Sequence, residues 1–500
     1  MEFISSYQNK ITNPLLKISM KFLIRLFSLS IFSTSTYAQE AIIYPDYAHA
    51  LSAYIQYPST QYNEQGAGEY LRSYCEEQGL YTKVLDTSDQ SYNFIASLYP
   101  ISSGKPNIVF LNHMDVVHPG DSSLWTYPPF SGIIADGYVW GRGAIDNKGM
   151  AIAQITATRK LLEQLDGQEL PFNVSVLCVS DEENGGHRGA MRIAGHHLDK
   201  LNIKLILGEG GSGVRGIVSS NPEKIVFGTS TAEKSKVVLK LRLDLESSGH
   251  GSVPPKEYAS KEMIFALQRL LTGKQEIILS RIPVKSLKLL GKEEKGLKGF
   301  VLKNFTFFAF KPFVKKEIKK DPMISSFFTN TITLTNLNAS SGDHNQISQY
   351  IEAVLDCRLI PTTEPKQFIR QVKRRLNDRR IKISVEHEEI TGPRSHVPEY
   401  YTLLSQSLQE VFPNSLNLEI IFPATTDNYI FRNKGIPVFG LFPAVFKEEE
   451  LKSIHAENER VSLKSIEEGI QVYHTFLNKL IPLNWDPANA NARSESITEH

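Results

Sequence analysis

Five hundred residues exceed the roughly 250–300 at which a single hydrophobic core stops growing, so two domains are expected. Hydrophobic residues make up 41% and charged residues 22%, which excludes a disordered chain and a multi-span membrane protein. The 55 basic and 54 acidic residues nearly cancel, so nothing in the overall charge asks for nucleic acid.

From Met20 the chain has a basic start, a short apolar stretch and a small-x-Ala site ending at Ala38. That pattern predicts a signal peptide over 1–38, cleaved after Ala38, and a periplasmic or secreted product. The apolar stretch is well short of the ~20 residues a spanning helix needs. Met20 is a candidate true start, because residues 1–19 add polar sequence a signal peptide does not require; the alternative is a longer lead-in. Cys75, Cys178 and Cys357 are few, odd in number and far apart, which excludes a disulfide framework and a cysteine zinc cluster. Any metal must be held by histidine and carboxylates. Cys178, inside an apolar run, reads as a buried inert thiol.

Residues 43–80 carry Leu51, Tyr54, Ile55, Tyr70, Leu71 and Tyr74 at helical intervals and predict a helix with its lead-in. Residues 90–118 predict two strands, the second running from Asn107 and stopping at His113-x-Asp115. A Pro-rich loop from Trp125 to Gly132 follows, and Gly137-Tyr-Val-Trp-Gly141 leads into Asp146. Residues 148–165 predict an amphipathic helix. A strand from Phe172 stops at Asp181-Glu182-Glu183, and another from Ile203 stops at Glu209. Strands alternating with helices argue a largely parallel sheet. Ligands of such sheets bind beyond the carboxyl ends of the strands, where these acids and His113 can converge.

After Gly216 the pattern changes. The runs from Lys236 and from Tyr350 alternate polar and apolar, as half-buried antiparallel strands do. A second, smaller α+β domain is therefore expected at 229–392, inserted between catalytic segments 39–228 and 393–483. The first domain resumes with a helix near Pro398, strands at 417–421 and 436–441, the turn Ala424-Thr-Thr-Asp427, and a long helix from Ser462. Residues 484–500 form a polar tail. Residues 285–320 stand apart, with eleven lysines against three glutamates among six phenylalanines. They make either a basic, apolar-faced surface for membrane or acyl chains, or an elaborated lid whose phenylalanines are core.

Asp146 lies between strand-like runs that end in metal-ligand residues, and reads as a carboxylate bridging two metal ions. Residues i and i+2 of a strand share a face, so Asp115 can reach one ring nitrogen of His113 while the other binds metal. Glu182 and Glu183 diverge on a turn, one able to ligate and the other to act as general base toward the attacking water. With His113, Asp146, Glu209 and His455 they fill a complete set whose nitrogen and oxygen donors suit zinc, and also cobalt or manganese. Gly208-x-Gly210-x-x-Gly213 formally matches a dinucleotide fingerprint, but an acid occupies the turn and no acid-ended βαβ unit follows.

The ordered set His113-x-Asp115, Trp125…Pro128-Pro-Phe-Ser-Gly132, Gly141-Arg-Gly-x-x-Asp146-x-Lys148, Asp181-Glu-Glu-x-Gly-Gly186, Glu209-Gly-Gly, Gly249-His250-Gly-Ser, Arg358-x-x-Pro361 and Ile454-His455-x-x-Asn458-Glu-Arg460 resembles the co-catalytic di-zinc family of aminoacylases and glutamate carboxypeptidases. The Trp125 and Ile454 stretches look most like its carboxypeptidase S and N-fatty-acyl-amino-acid hydrolase branch, and the likeness covers about 45–480. It implies an α/β, mixed-sheet, three-layer catalytic domain with an inserted α+β, ferredoxin-like lid that also makes a homodimer. It implies two zinc ions per subunit, one on His113, Asp146 and Glu209, the other on Asp146, Glu183 and His455, with Glu182 as general base. His250 would come from the other subunit to stabilise the oxyanion, and the peptide bond after Asp146 would be cis.

Two stretches depart from that family. Asn345-Gln-Ile347-Ser348 lacks the proline that follows the family's lid asparagine, yet Asn345 remains the candidate donor to a substrate carbonyl. Thr426-Asp427-Asn428-Tyr429-Ile430 lacks an Arg-His pair, which leaves Asp427 as a substrate-side residue without that arginine. Another cation, Arg358, is then either the grip on the substrate carboxylate or a structural lid residue, or else the enzyme prefers a different product end. The leading reading is an exported, dimeric hydrolase cutting a C-terminal amino acid from a short peptide or N-acyl amino acid. A dipeptidase of the same fold, a metal-poor binding relative and a lipid-surface protein are the alternatives, and condensation of fatty acid with amino acid is the reverse of the same chemistry.

Overall fold

The structure, a computed structural model, describes residues 44–483 except 246–248, 308–309, 321, 341–343 and 393. The expected signal peptide and polar tail lie outside the described residues. The first helical stretch divides into Asp46–Ile55 and Gln65–Glu77, with Pro58 in the break. Proline lacks the N–H that would continue the ladder.

Among the described residues the main sheet has nine strands. Eight follow the spatial order Tyr81–Asp86, Asn93–Ser97, Asn173–Val179, Asn107–His113, Ile203–Gly208, Val438–Gly440, Val226–Glu233 and Leu416–Phe422, and Gly213–Val214 pairs with Val226–Glu233. Its centre is parallel, with Asn107–His113 between Asn173–Val179 and Ile203–Gly208. Tyr81–Asp86 and Asn93–Ser97 are antiparallel, as is the pairing of Asn93–Ser97 with Asn173–Val179. The sheet is thus mixed rather than largely parallel, because the short link from Asp86 to Asn93 closes a hairpin and cannot make a crossover.

Both faces of the centre are covered, which is why its strands read as unbroken apolar runs. Every residue of Asn107–His113 and of Asn173–Val179 is buried. Alternate side chains divide between two cores. Ile108, Phe110, Val176, Cys178 and Leu207 join the core containing helices Lys148–Leu165 and Leu463–Leu480. Val109, Leu111, Leu177, Val179 and Ile206 join residues of Ala190–His196 and Asn428–Arg432. The helix Lys148–Leu165 is less amphipathic than its sequence predicts, since every residue from Lys148 to Ile155 is buried as it leaves the site.

The second sheet has the order Thr331–Ala339, Tyr350–Leu359, Ser235–Asp244, Lys382–Glu389, antiparallel throughout. Its inner positions, among them Val237, Leu239, Leu241, Ala353 and Leu355, pack with helices Ala259–Leu271 and Pro365–Leu376. In chain order these elements run strand, helix, strand, strand, helix, strand, which is the ferredoxin-like pattern.

Between that sheet's first helix and its second strand come the helices Arg281–Glu293, Gly296–Asn304 and Lys311–Ile318. The first of them packs on the outer strand Leu416–Phe422 of the main sheet. Ser286 Oγ donates to Glu419 O, and Lys285 pairs with the Glu419 carboxylate at 2.5 Å. The lysine-rich segment therefore belongs structurally with the main sheet.

Candidate metal centre

The parallel register sets the site. His113 ends its strand opposite Val179, so the chain leaving Val179 turns directly beside it, and Glu209 follows Gly208 on the other flank. His113 Nδ1 is 2.9 Å from the main-chain carbonyl of Asp115. A carbonyl only accepts, so Nδ1 carries the proton and Nε2 faces Asp146 Oδ1 at 2.9 Å and Glu209 Oε2 at 3.5 Å. On the far side of Asp146, Oδ2 is 3.2 Å from His455 Nε2, which is also 3.2 Å from Glu183 Oε1. Each oxygen of Asp146 thus faces its own histidine, and each histidine in turn reaches its own glutamate. One ligand atom each from His113, Asp146 and Glu183 also falls within 4.8 Å of the others, as does one each from His113, Glu182 and Glu209.

The expected Asp115 carboxylate is placed differently. The strand ends at His113, so the two-residue alternation does not carry through, and the Asp115 main chain holds the imidazole instead. Its carboxylate lies 3.7 Å from Nδ1 and accepts from the Glu182 and Glu183 N–H groups at 3.1 and 3.0 Å. One aspartate therefore orients the histidine and fixes the turn of the two glutamates. Asp181 enters that turn in the left-handed conformation, with φ 72°.

Glu459 shapes the loop that presents Asp146. Its fully buried carboxylate accepts from Arg142 Nη1 at 2.7 Å and from the N–H groups of Gly143, Ile145 and Asp146 at 3.0, 2.9 and 3.1 Å. The peptide bond between Asp146 and Asn147 is cis. Asn147 Nδ2 donates to Glu209 Oε2 at 3.1 Å, and Lys148 Nζ donates to the carbonyls of Tyr54 and Tyr57. The Asn458 side chain ties the His455 loop to the Trp125 stretch through Thr126 N and Leu124 O.

The electrostatics ask for a cation. Burial, with the neighbouring Glu209 charge, pushes the Glu182 carboxyl well above its ordinary range. Burial also raises Glu183, Glu209 and Asp427. Burial opposes the charge on Asp146, yet bonds from His113 and His455 hold its carboxyl well below the usual range. His455 is raised to about 10 by Asp146 and Glu183. A lone pair on His113 Nε2 pointing at two carboxylate oxygens is repulsive unless a proton or cation lies between them. Nitrogen and carboxylate donors gathered around Asp146 fit a divalent metal ion.

Asp427 lines the cavity at this cluster together with Asn147, Glu182, Glu209, Thr426 and Asn428. Gly186 makes room for it, having φ +69° and a position where a Cβ would sit 2.3 Å from Asp427 Oδ1. Buried Glu233, which sequence reasoning missed, anchors the turn by accepting from Thr426 Oγ1 and Asn428 Nδ2 and pairing with Arg432. Glu459 was legible only as part of a motif. A charged residue at the end of a strand or loop beside the ligand set is the signal that marks both.

The structure does not bring His250, Asn345 or Arg358 to the cluster through any contact among the described residues. His250 Nε2 lies 3.0 Å from Asn345 Nδ2, and its Nδ1 is 2.6 Å from Ser252 Oγ. The two expected donors thus stand together, exposed, on the chain that flanks the second sheet. Arg358 pairs with Asp356 at 2.8 Å and reaches Thr425 Oγ1 at 3.3 Å, next to the cavity-lining Thr426. The glycines from Gly208 to Gly213 lead into the strand Gly213–Val214 and not into a helix, and a Cβ at Gly208 would meet Asn428 Oδ1 at 2.1 Å.

With this geometry in view, comparisons place the chain. Residues 109–479 match the profile of peptidase family M20/M25/M40. The chain is 26% identical over 451 residues to the N-fatty-acyl-amino acid synthase/hydrolase PM20D1 of Mus musculus, covering 86% of each. It is 26% identical over 395 residues to the probable carboxypeptidase S-like 2 of Dictyostelium discoideum, covering 77% of this chain and 74% of that protein. The fold is similar to that of the M20 family metallo-carboxypeptidase Sso-CP2 from Sulfolobus solfataricus, with a TM-score of 0.65 at 19% identity over 88% of this chain and 100% of the other. Human carnosine dipeptidase 1 gives a TM-score of 0.60 at 15% identity, over 87% and 96%. The match over 109–479 and the histidine–carboxylate cluster agree: the chain belongs to peptidase family M20/M25/M40 and is a metal-dependent hydrolase.

Proposed function

We propose that this chain is a dinuclear zinc hydrolase that cuts the amide bond of N-acyl amino acids or short peptides, releasing a C-terminal amino acid. The observation that carries this reading is the two-sided setting of Asp146, with His113 at Oδ1 and His455 at Oδ2, and with Glu209 beside the first histidine and Glu183 beside the second. Those five residues would hold the metals. When bound, the metal pair supplies Lewis-acid polarisation of the scissile carbonyl and makes water a nucleophile near neutral pH.

The remaining steps belong to side chains. Glu182, half-buried and raised in pKa, takes a proton from the attacking water and delivers it to the amine nitrogen as the C–N bond breaks. Asp115 keeps it aimed through the turn. The oxyanion needs a donor, and His250 with Asn345 is the available pair. Because that pair contacts the second sheet's flank and not the cluster, we assign it to the site of a partner copy. Support for a homodimer comes from the helix Ala259–Leu271, which exposes Ile264, Phe265 and Leu271 on an otherwise packed element. Arg358, which reaches Thr425 next to the cavity-lining Thr426, would be the cation that meets a substrate carboxylate. The match to the N-fatty-acyl-amino acid synthase/hydrolase spans 86% of each chain, against 77% and 74% for the carboxypeptidase S-like protein at the same identity, and this supports an acyl group over a second peptide residue. The signal-like sequence before Gln39 supports export to the periplasm or medium.

Turnover of a panel of N-acyl amino acids and dipeptides, before and after zinc is removed and restored, tests this reading. Cleavage that disappears with the metal and returns with it is expected. A panel left uncut by fully metallated protein would contradict it.

A further inference from the structure

Residues 285–320 hold eleven lysines against three glutamates while the whole chain carries a net charge of +1, so the remainder is net acidic and the positive charge is concentrated in this segment. Its helices are fixed to the body by one side. Glu294 accepts from the N–H groups of Ser219 and Ser220, and Lys224 pairs with Glu293. Leu287, Val301, Phe305, Val314 and Ile318 make a small core of their own. Phe305 is therefore core, but the other phenylalanines are not all so.

Leu297 is 77% exposed, Phe300 55%, Phe307 54% and Phe313 54%. Phe310 gathers two of these rings, with centroids 5.8 Å from Phe300 and 5.9 Å from Phe307. Leu297 and Phe300, and likewise Phe313 and Lys316, are three residues apart on their helices and so are neighbours on one face. Lys303, Lys311, Lys316 and Lys319 are exposed and make no ion pair among the described residues. Aromatic and aliphatic side chains left in water beside unpaired ammonium groups match one environment closely. The face of an anionic bilayer takes the charge at its headgroups and the rings at the acyl boundary. A polyanion such as nucleic acid would meet the lysines but leave Leu297 and the rings uncovered. No helix among the described residues is long and apolar enough to cross a membrane, so the contact is with the bilayer face.

We propose that this patch docks the protein on anionic phospholipid surfaces, with Leu297, Phe300, Phe307 and Phe313 entering the interface and the four lysines meeting phosphate headgroups. The proposal does not depend on the amide-cleaving reading, because the patch helix Gly296–Asn304 packs on Arg281–Glu293, which in turn packs on the outer strand Leu416–Phe422.

The test is flotation of the full chain with vesicles of phosphatidylcholine alone and of equal parts phosphatidylcholine and phosphatidylglycerol. Binding to the anionic vesicles alone is expected, weakening with salt. Lys303→Gln/Lys311→Gln/Lys316→Gln/Lys319→Gln should lower the partition by about fivefold for each lysine near the surface. Phe300→Ser/Phe313→Ser should lower it as well, without changing the circular dichroism spectrum or metal content. Absence of flotation with anionic vesicles overturns the proposal. So does binding that survives both sets of substitutions. Loss with the lysine set alone, accompanied by equally tight binding to heparin, would assign the patch to soluble polyanions and overturn it too.

Discussion

Replacing Glu459 by glutamine removes one charge and almost no volume, and the structure sets what that costs. One carboxylate oxygen accepts from Arg142 and Gly143, the other from Ile145 and Asp146. Whichever oxygen becomes an amide nitrogen, two donors then face a donor. Arg142 is left without its counter-charge at a site where its side chain is 2% exposed. Breaking a buried ion pair by altering one partner costs about 3–5 kcal/mol, and each lost main-chain bond about 1 kcal/mol. These terms overlap, so a loss of about 4 kcal/mol is predicted for Glu459→Gln. Urea denaturation followed by circular dichroism at constant m-value reads it, on metal-free protein so that ligand binding does not contribute. Arg142→Met/Glu459→Gln should lose less than the two single changes summed, by more than about 1 kcal/mol, since no unpaired charge remains. The metallated form of Glu459→Gln should also bind metal about 10–100-fold more weakly, because the loop that presents Asp146 has lost its anchor. A loss below about 1 kcal/mol with unchanged metal affinity would show that Glu459 does not anchor this loop.

Glu182→Ala should abolish turnover while metal content stays near wild type, and normal turnover in that variant would remove Glu182 from the base role. Mixing inactive His250→Ala with inactive Glu182→Ala should restore partial activity through dimers that pair an intact base with an intact donor; no recovery after subunit exchange would place His250 outside the partner's site. Lys234 is wholly buried with no partner for its Nζ among the described residues, and burial, aided by Arg358, lowers its pKa from 10.5 to about 8. A depressed lysine binds fewer protons folded than unfolded, so stability should rise with pH from about 8 to 10.5. Lys234→Met should flatten that rise and add up to about 3 kcal/mol at pH 7, checked by urea midpoints across the range.

Much of the site could be read from the chain because a parallel strand ends where its apolar run ends. His113, Glu182 and Glu209 each follow such a run, and the register of three adjacent strands brings them together. Alternation in Ser235–Asp244 and Tyr350–Leu359 was equally legible, since one face of each is buried. What periodicity could not show was where the chain stops being a strand. That is why the Asp115 carboxylate was assigned to His113 when its main chain does that work. Nor could it show which body the lysine-rich helices pack on, because Ser286 and Glu419 are far apart in sequence. Buried charges such as Glu233 and Glu459 look like surface residues until their partners, Arg432 and Arg142, are seen beside them.

We propose that two metal ions share Asp146. Metal counted by plasma emission on wild-type protein and on Asp146→Ala, with amide cleavage measured on the same samples, tests it most directly. About two zinc ions per chain in the wild type, with both lost in Asp146→Ala along with cleavage, is the predicted result. Amide cleavage by wild-type protein holding one metal or none, or an Asp146→Ala protein that keeps both, would contradict it.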